Sequence, residues 1–191
     1  MPGSSLWLLP PQSHPLTPIL TTLIKTVSTH FSSPHTFIPH VTLTSEIPPS
    51  IYEKDPQVWL DSLDFLKADD VSVRFERLET SSVFFRKMTI RVAKEGVRAL
   101  ATIARTVVER SAAEEQPRKW VEESFEPHLS LLYADIEVSE ESLKEIETAI
   151  REAGVNLEGE SKLGSWVGGR VVLVPTDRKI EDWNAVALRD L

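Results

Sequence analysis

One pattern of seven residues occurs twice in this chain and constrains the fold more than any other feature. Residues 37–43 read FIPHVTL, and residues 125–131 read FEPHLSL. Both copies fit F-x-P-H-Φ-[ST]-L, where Φ is apolar, and the two histidines lie 88 positions apart in a chain of 191 residues. A separation close to half the chain predicts two related lobes, each of which contributes one copy.

Each copy alternates as a half-buried β-strand does. Successive side chains of a strand point to opposite faces, so His40 and Thr42 share one face, and His128 and Ser130 share the equivalent face of the second copy. The opposite, apolar faces carry Phe37, Val41, Leu43, Phe125, Leu129 and Leu131. Each proline lacks an amide donor and predicts a strand start or an edge. Packing explains the apolar residues but does not require the four polar ones, which we therefore interpret as a catalytic tetrad.

The rest of the chain predicts an α+β fold with mostly antiparallel sheets that line a central cleft and with helices on the outside. Apolar spacing predicts helices over 15–31, 55–68 and 95–110, and a further helix that Ser139 caps and Gly154 follows. Strands are predicted at 5–10, 37–44, 71–79, 81–93 and 125–135, and around Gly168-Gly169 as a terminal hairpin. The polar stretch 111–124 is predicted to be a loop near the second motif, where it could gate the cleft.

The tetrad has the groups that acid-base cleavage of a phosphodiester needs. Imidazole titrates at a pKa of about 6.5, so one histidine can activate water while the other protonates the leaving oxygen. The hydroxyl groups of Thr42 and Ser130 can donate hydrogen bonds to the non-bridging phosphate oxygens without adding net charge. This chemistry requires no metal and no organic cofactor.

Composition excludes several other classes. The chain has no cysteine, so a thiolate nucleophile, a zinc-thiolate site and a disulfide framework are impossible. A formal charge of −8 argues against binding of long nucleic acid through phosphate neutralisation. No apolar run is long enough for a membrane span, and the first residues lack the basic start of a signal peptide. We expect an intracellular, cytoplasmic monomer whose residues 1–191 form a single bilobal domain, with association with the endomembrane system left open.

At these motifs the sequence resembles the two-histidine (2H) phosphoesterase superfamily, and more closely its fungal and plant 2′,3′-cyclic-nucleotide 3′-phosphodiesterases. The resemblance extends from SLWLLPP near the start to the closing W-x-G-G-R-V-V-L-V. It implies a bilobal fold in which His40 and His128 are catalytic, while Thr42 and Ser130 bind the substrate. It also implies hydrolysis of 2′,3′-cyclic nucleotides to 2′-nucleotides and, in tRNA splicing, of ADP-ribose 1″,2″-cyclic phosphate to ADP-ribose 1″-phosphate.

The resemblance also points to Tyr133, five residues past the second histidine, as a substrate contact. Strict alternation places Tyr133 on the face opposite His128, so this role requires a bulge or a strand end there; the alternative is a core tyrosine. Trp7 and Trp166 could stack on a base, but the core is the favoured interpretation for both.

Two further sets of charged or titratable residues each have more than one possible role. Arg86 and Lys87 point to opposite faces, so at most one of them lines the cleft, and a solvated charge is the favoured interpretation for each. His30, His35 and His40 are evenly spaced but cross a helix end, a turn and a strand, which argues against a metal cluster.

Two rival functions remain. The same site could process RNA ends, as exonuclease and 2′-5′ ligase-like members of the superfamily do, although the acidic balance and the absence of a basic stripe disfavour this. A nucleotide-binding protein without turnover could keep the cleft, although a binder does not need two proton-transfer groups.

Overall fold

The fold is α+β, as predicted, and the computed structural model describes residues 3–109 and 115–191 of it. The strands in these residues are β1 (Ser4–Leu9), β2 (Val41–Ile47), β3 (Ser72–Thr80), β4 (Met88–Val92), β5 (His128–Leu132), β6 (Ser165–Val167), β7 (Arg170–Pro175) and β8 (Ala187–Asp190). The helices are α1 (Leu16–His30), α2 (Pro56–Asp61), α3 (Arg98–Glu109), α4 (Glu115–Glu123) and α5 (Glu140–Glu152). Within these two ranges no helix is long and apolar enough to cross a membrane.

The strands form one antiparallel sheet whose order is symmetric about its middle. The order is β6-β3-β4-β5-β2-β1-β7-β8, and every neighbouring pair is antiparallel. At the centre, Val41 of β2 lies opposite Leu129 of β5. These residues directly follow the two histidines, so the repeated motifs meet side by side. The prediction of antiparallel pairing is confirmed, and four strands lie on each side of the meeting point.

The sheet is strongly curled because its two ends are tied together. β6 and β7 are six positions apart in the order, which would be about 29 Å in a flat sheet. Only Gly168 and Gly169 join them, so their ends lie within about 11 Å of each other. A Cβ atom on Gly169 would lie 2.4 Å from the backbone oxygen of Leu9, so only glycine fits there. The predicted hairpin of these strands is wrong, because β6 pairs with β3 and β7 with β1.

The helices bury the apolar face of both motifs. α1 packs on β5 and α3 packs on β2, so each helix covers the motif strand of the opposite half. Val41, Leu43, Leu129 and Leu131 are fully buried in this core. Burial of each such side chain stabilises the fold by roughly 2 kcal/mol. The two motif strands are thereby anchored with their polar faces turned away from the helices.

Both motif strands begin later in the sequence than the alternation predicts. β2 begins at Val41 instead of Phe37, and β5 begins at His128 instead of Phe125. Pro39 has no amide hydrogen for a strand ladder, which accounts for the late start. His40 therefore lies just before its strand, whereas His128 is the first residue of its own.

The stretch 111–124, predicted to be a loop, is mostly helical where it is described. α4 covers Glu115–Glu123 and packs on α3, while residues 111–114 lie outside the described residues. Pro117 and Val121 are buried one helical turn apart, and the guanidinium of Arg105 lies 4.5 Å above the ring of Trp120. The loop prediction is wrong because two apolar positions among many charged ones suffice for a helix in the outer layer. The described part of this stretch is therefore a helix of the outer layer, and the gating role stays a prediction.

Three smaller boundaries also differ from prediction. α2 ends at Asp61 instead of residue 68, and the hydroxyl group of Ser62 donates to the carbonyl of Trp59 at this end. α3 begins at Arg98 instead of residue 95. β8 was not predicted, and it pairs with β7 at the edge of the sheet.

Candidate active site

The two histidine rings are held by the same internal hydrogen bond. Nδ1 of His40 lies 2.6 Å from the backbone oxygen of Ile38, and Nδ1 of His128 lies 2.8 Å from that of Glu126. A carbonyl oxygen can only accept, so each Nδ1 carries the hydrogen and each neutral ring leaves Nε2 as an acceptor. Ile38 and Glu126 occupy the same x position of the motif. The repeat therefore sets the tautomer of both rings through its backbone.

Both motifs open into one cavity of about 250 Å³. Its wall contains all five residues predicted to be catalytic or to bind the substrate: His40, Thr42, His128, Ser130 and Tyr133. The remaining lining residues are Trp7, Ser45, Val83, Phe85, Arg86 and Trp183. Larger cavities lie elsewhere, including one of about 610 Å³ between α3 and α4, but the four others described contain none of the motif residues. The structure thus brings the tetrad together at a single site.

The two hydroxyl residues of the tetrad differ in their hydrogen bonds. The hydroxyl group of Ser130 donates to the backbone oxygen of Phe85 over 3.0 Å. Thr42 has no hydrogen-bond partner among the residues that the structure describes. Both face the cavity, so the threonine is ready to donate to a ligand, whereas the serine must first release its carbonyl partner.

Tyr133 reaches the cavity because the strand alternation breaks at the end of β5. Leu131 and Leu132 are both buried in the main core instead of facing opposite sides. The pairing of β4 with β5 also shifts its register between Met88 and Thr89. Tyr133 therefore lies on the cavity side, just past the last residue of the strand.

The hydroxyl group of Tyr133 is kept neutral by its surroundings. Burial raises the pKa of Tyr133 above its ordinary value, and a hydrogen bond with Ser130 opposes this more weakly. The ring stacks on Phe37 with centroids 3.8 Å apart. A neutral, fixed phenol can donate a hydrogen bond to a ligand in the cavity.

Burial lowers the pKa of both histidines. For His40 desolvation is the main cause and lowers the pKa to about 4, although the bond to Ile38 raises it. Desolvation is also the main cause for His128, the bond to Glu126 opposes it, and the nearby charges of Arg86 and Arg91 lower the pKa further. The lowered pKa values favour a neutral ring at both His40 and His128 in the unliganded protein. An anion bound between the rings would raise both pKa values again.

An aromatic cluster borders the His40 side of the cavity. Trp7 is almost fully buried, and its indole stacks on the imidazole of His40 with centroids 3.7 Å apart and planes 12° apart. Trp183 packs edge-on against Trp7. The favoured interpretation of Trp7 as a core residue is confirmed, although Trp7 belongs to a second, smaller core cluster on the site face instead of the main one. Trp166 lies in the main core, as predicted.

An ionic cluster borders the His128 side. Nη2 of Arg86 lies 2.7 Å from Oε2 of Glu126, and Nη1 of Arg91 lies 3.9 Å from the same oxygen. Arg86 lines the cavity, whereas Lys87 does not line it. The prediction of a solvated charge is wrong for Lys87, because only 6% of this residue is exposed. It is also wrong for Arg86, which is about one-third exposed and paired.

Several residues at the site lie outside every motif, among them Trp183, Phe85 and Arg91, which were not predicted from the sequence. Trp183 comes from the segment before β8, and Phe85 and Arg91 come from the second half of the β3–β4 hairpin. Arg91 is the cross-strand partner of His128. These residues become neighbours of the motifs only through tertiary pairing, and no local pattern in the sequence marks them.

The evenly spaced histidines do not meet. His30 lies 3.7 Å from Glu145, and His35 lies 3.8 Å from Glu181. Over residues 3–109 and 115–191, no three His, Cys, Asp or Glu side chains come together as a metal-binding group.

The curled antiparallel sheet, with one H-x-[ST] motif from each half in a single cavity, defines a protein of the two-histidine phosphoesterase class. Comparison with known sequences narrows this class. The chain belongs to the family of cyclic phosphodiesterase-like proteins, which matches residues 1–191.

Similar proteins in fungi carry the name 2′,3′-cyclic-nucleotide 3′-phosphodiesterase. The one from Phaeosphaeria nodorum is 52% identical over 193 residues, and the one from Neurospora crassa is 43% identical over 212 residues, with all of both chains covered in each case. The Yarrowia lipolytica protein of that name is 27% identical over 217 residues, covering 98% of this chain and 99% of its own.

Proposed function

We propose that this protein hydrolyses 2′,3′-cyclic nucleotides to 2′-nucleotides, with His40 and His128 as the two proton-transfer groups. The observation that carries the proposal is the pair of rings in one cavity, each bound through Nδ1 to the backbone and each left with Nε2 for a substrate. The names of the similar fungal proteins support the same activity.

In the proposed reaction a water molecule attacks phosphorus while the bond from phosphorus to the 3′ oxygen breaks. One histidine accepts the proton of the water at Nε2. The other, protonated on binding of the anion, gives its Nε2 proton to the 3′ oxygen. The product carries a 2′-phosphate and a free 3′-hydroxyl group. Neither step uses a metal or an organic cofactor.

The neutral donors around the cavity fit the charge of this substrate. A cyclic phosphodiester carries one negative charge and gains charge on its non-bridging oxygens in the transition state. Thr42, Ser130 and Tyr133 can donate hydrogen bonds to those oxygens without a fixed positive charge. These residues are therefore proposed to bind the reacting phosphate.

The same geometry supports a second substrate. ADP-ribose 1″,2″-cyclic phosphate contains the same five-membered cyclic phosphodiester, and its opening to ADP-ribose 1″-phosphate, a step in tRNA splicing, would use the same proton transfers. The monomeric state, the cytoplasmic location and the single domain over residues 1–191 stay predictions, which size-exclusion chromatography, cell fractionation and limited proteolysis would test.

Turnover in the presence of a chelator tests the proposal. We expect the protein to convert adenosine 2′,3′-cyclic phosphate to adenosine 2′-phosphate at the same rate with and without excess EDTA. Loss of activity with EDTA would contradict the metal-independent mechanism, and absence of turnover would favour the nucleotide-binding alternative. A short RNA with a 2′,3′-cyclic end is added as a competitor; its preferential processing would favour the RNA-end alternative.

A further inference from the structure

The ionic cluster beside His128 has more positive than negative charge. It consists of Arg86, Arg91 and Glu126, in which two guanidinium groups approach one carboxylate oxygen at 2.7 Å and 3.9 Å. The hydrogen bond from Arg86 is the main cause that lowers the pKa of Glu126, so this carboxylate is ionised at neutral pH. One positive charge is therefore left without a partner within the cluster, in a chain whose formal charge is −8.

The two guanidinium groups also have unused donors. The 3.9 Å approach of Arg91 to Glu126 is too long for a hydrogen bond, and no other described residue hydrogen-bonds to its side chain. Yet only 21% of the Arg91 side chain is exposed. Arg86 uses Nη2 for Glu126, and no described residue accepts from its remaining nitrogens. A partly buried guanidinium with free donors is costly alone and suits a bidentate anion such as phosphate.

The position of the cluster separates it from the reacting phosphate. Arg91 lies on β4, directly opposite His128, and β4 is on the far side of β5 from β2. A phosphate held midway between His40 and His128 is therefore about one and a half strand spacings, roughly 7 Å, from the strand that carries Arg91. Arg86 bridges this distance, because it lines the cavity and contacts Glu126.

The equivalent position on the other side of the cavity has no charge. The x residue of the first motif is Ile38, an exposed aliphatic side chain, where the second motif has Glu126 with its two arginines. Trp7 and Phe37 extend this apolar side. A substrate with an apolar base at one end and an extra phosphate at the other would therefore bind in only one orientation.

We propose that Arg86 and Arg91, held by Glu126, form a second anion subsite that binds a phosphate group of the substrate other than the one that is hydrolysed. The ligand class is a ribose cyclic phosphate that also carries a phosphate or diphosphate on its 5′ carbon. This inference rests on the proposed function for the identity of the first phosphate.

The test compares two product-like ligands by calorimetry: adenosine 2′-phosphate and adenosine 2′,5′-bisphosphate. We expect the bisphosphate to bind about tenfold more tightly or better, because it adds charge-assisted hydrogen bonds, and the advantage to shrink with added salt. In Arg91→Gln the advantage should fall below about threefold. Arg86→Gln provides the same test if Arg91→Gln does not fold. Arg98→Gln is the matched control, because Arg98 is paired with Glu122 at 3.0 Å on the outer helices, and it should keep the full advantage.

Equal affinities for the two ligands in the unaltered protein, or an undiminished advantage in the folded Arg91→Gln and Arg86→Gln variants, would overturn the subsite. Turnover of adenosine 2′,3′-cyclic phosphate, measured in parallel, keeps the two proposals apart. A protein that hydrolyses the cyclic nucleotide but shows equal affinities has the proposed function without the subsite. A protein that prefers the bisphosphate but shows no turnover has the subsite without the proposed function.

Discussion

The His40 and His128 halves of the cavity share a motif but differ in the residues around it. In both halves the ring binds the carbonyl at the x position, and a hydroxyl residue follows two positions later. The neighbouring strand differs: Trp7 lies opposite Thr42, whereas Thr89 lies opposite Ser130. The repeat thus sets the geometry of the reacting groups, while the unrepeated neighbours set the environment of each half.

That environment is apolar on one side and ionic on the other. His40 is 5% exposed beneath the ring of Trp7, so desolvation dominates its pKa. His128 is more exposed and lies next to two arginines and a carboxylate. Because the two halves share their chemistry but differ in their surroundings, some substitutions should affect both halves equally, and others should affect them differently.

The largest expected effect is equal in both halves. His40→Ala and His128→Ala should each lower kcat for adenosine 2′,3′-cyclic phosphate by about 10²-fold or more, because each removes one proton-transfer group. Steady-state kinetics measure the loss. His30→Ala is the control, since His30 lies at the end of α1 near Glu145 and outside the cavity. Near-normal rates in either cavity variant would show that its histidine is not a proton-transfer group.

A smaller effect should separate the two hydroxyl residues. Thr42→Val and Ser130→Ala should each lower kcat/KM about tenfold through loss of a hydrogen bond to the phosphate. Only Ser130→Ala also removes a bond to the carbonyl of Phe85, so it alone should lower the free energy of unfolding by about 1 kcal/mol. Urea denaturation measures this difference. Equal destabilisation by the two substitutions would mean that the hydrogen bond from Ser130 to Phe85 does not stabilise the fold.

The smallest effect concerns stability at mildly acidic pH. The pKa of folded His40 is about 4, below its ordinary value of 6.5, so the unfolded chain binds a proton that the folded ring does not. Stability should therefore fall as the pH drops from about 6.5 towards 4, and by about 1 kcal/mol between pH 7 and 5.5. Urea denaturation of the protein and of His40→Gln measures this contribution.

His40→Gln should weaken the pH dependence more than His128→Gln, because the ring of His40 is more deeply buried than that of His128 and desolvation, the main cause at both rings, therefore penalises its charged form more. The reverse order would contradict the contrast between the two environments.

The sequence predicted the site better than it predicted the sheet. His40, Thr42, His128 and Ser130, which share the cavity, belong to a repeat that is visible in the sequence itself. Tyr133 lies outside the repeat and was indicated by the family resemblance, because the strand alternation alone places it on the opposite face. The ends of β6 and β7 were misread as a hairpin, because a Gly-Gly pair favours a turn whether or not the flanking strands bond to each other. Phe85, Arg91 and Trp183 could not be predicted, because only the pairing of distant strands and the packing of a late segment place them at the cavity.

If the two motifs act as one catalytic unit, the effects of substitutions in the two motifs should not be independent, which a double variant can show. Kinetics of His40→Ala, His128→Ala and the variant with both substitutions are compared under the same conditions. Groups that act together in one reaction lose activity non-additively, so we predict that the double variant is about as slow as either single variant. Losses that multiply, or a single variant that keeps full activity, would show that the two histidines do not act as one catalytic unit.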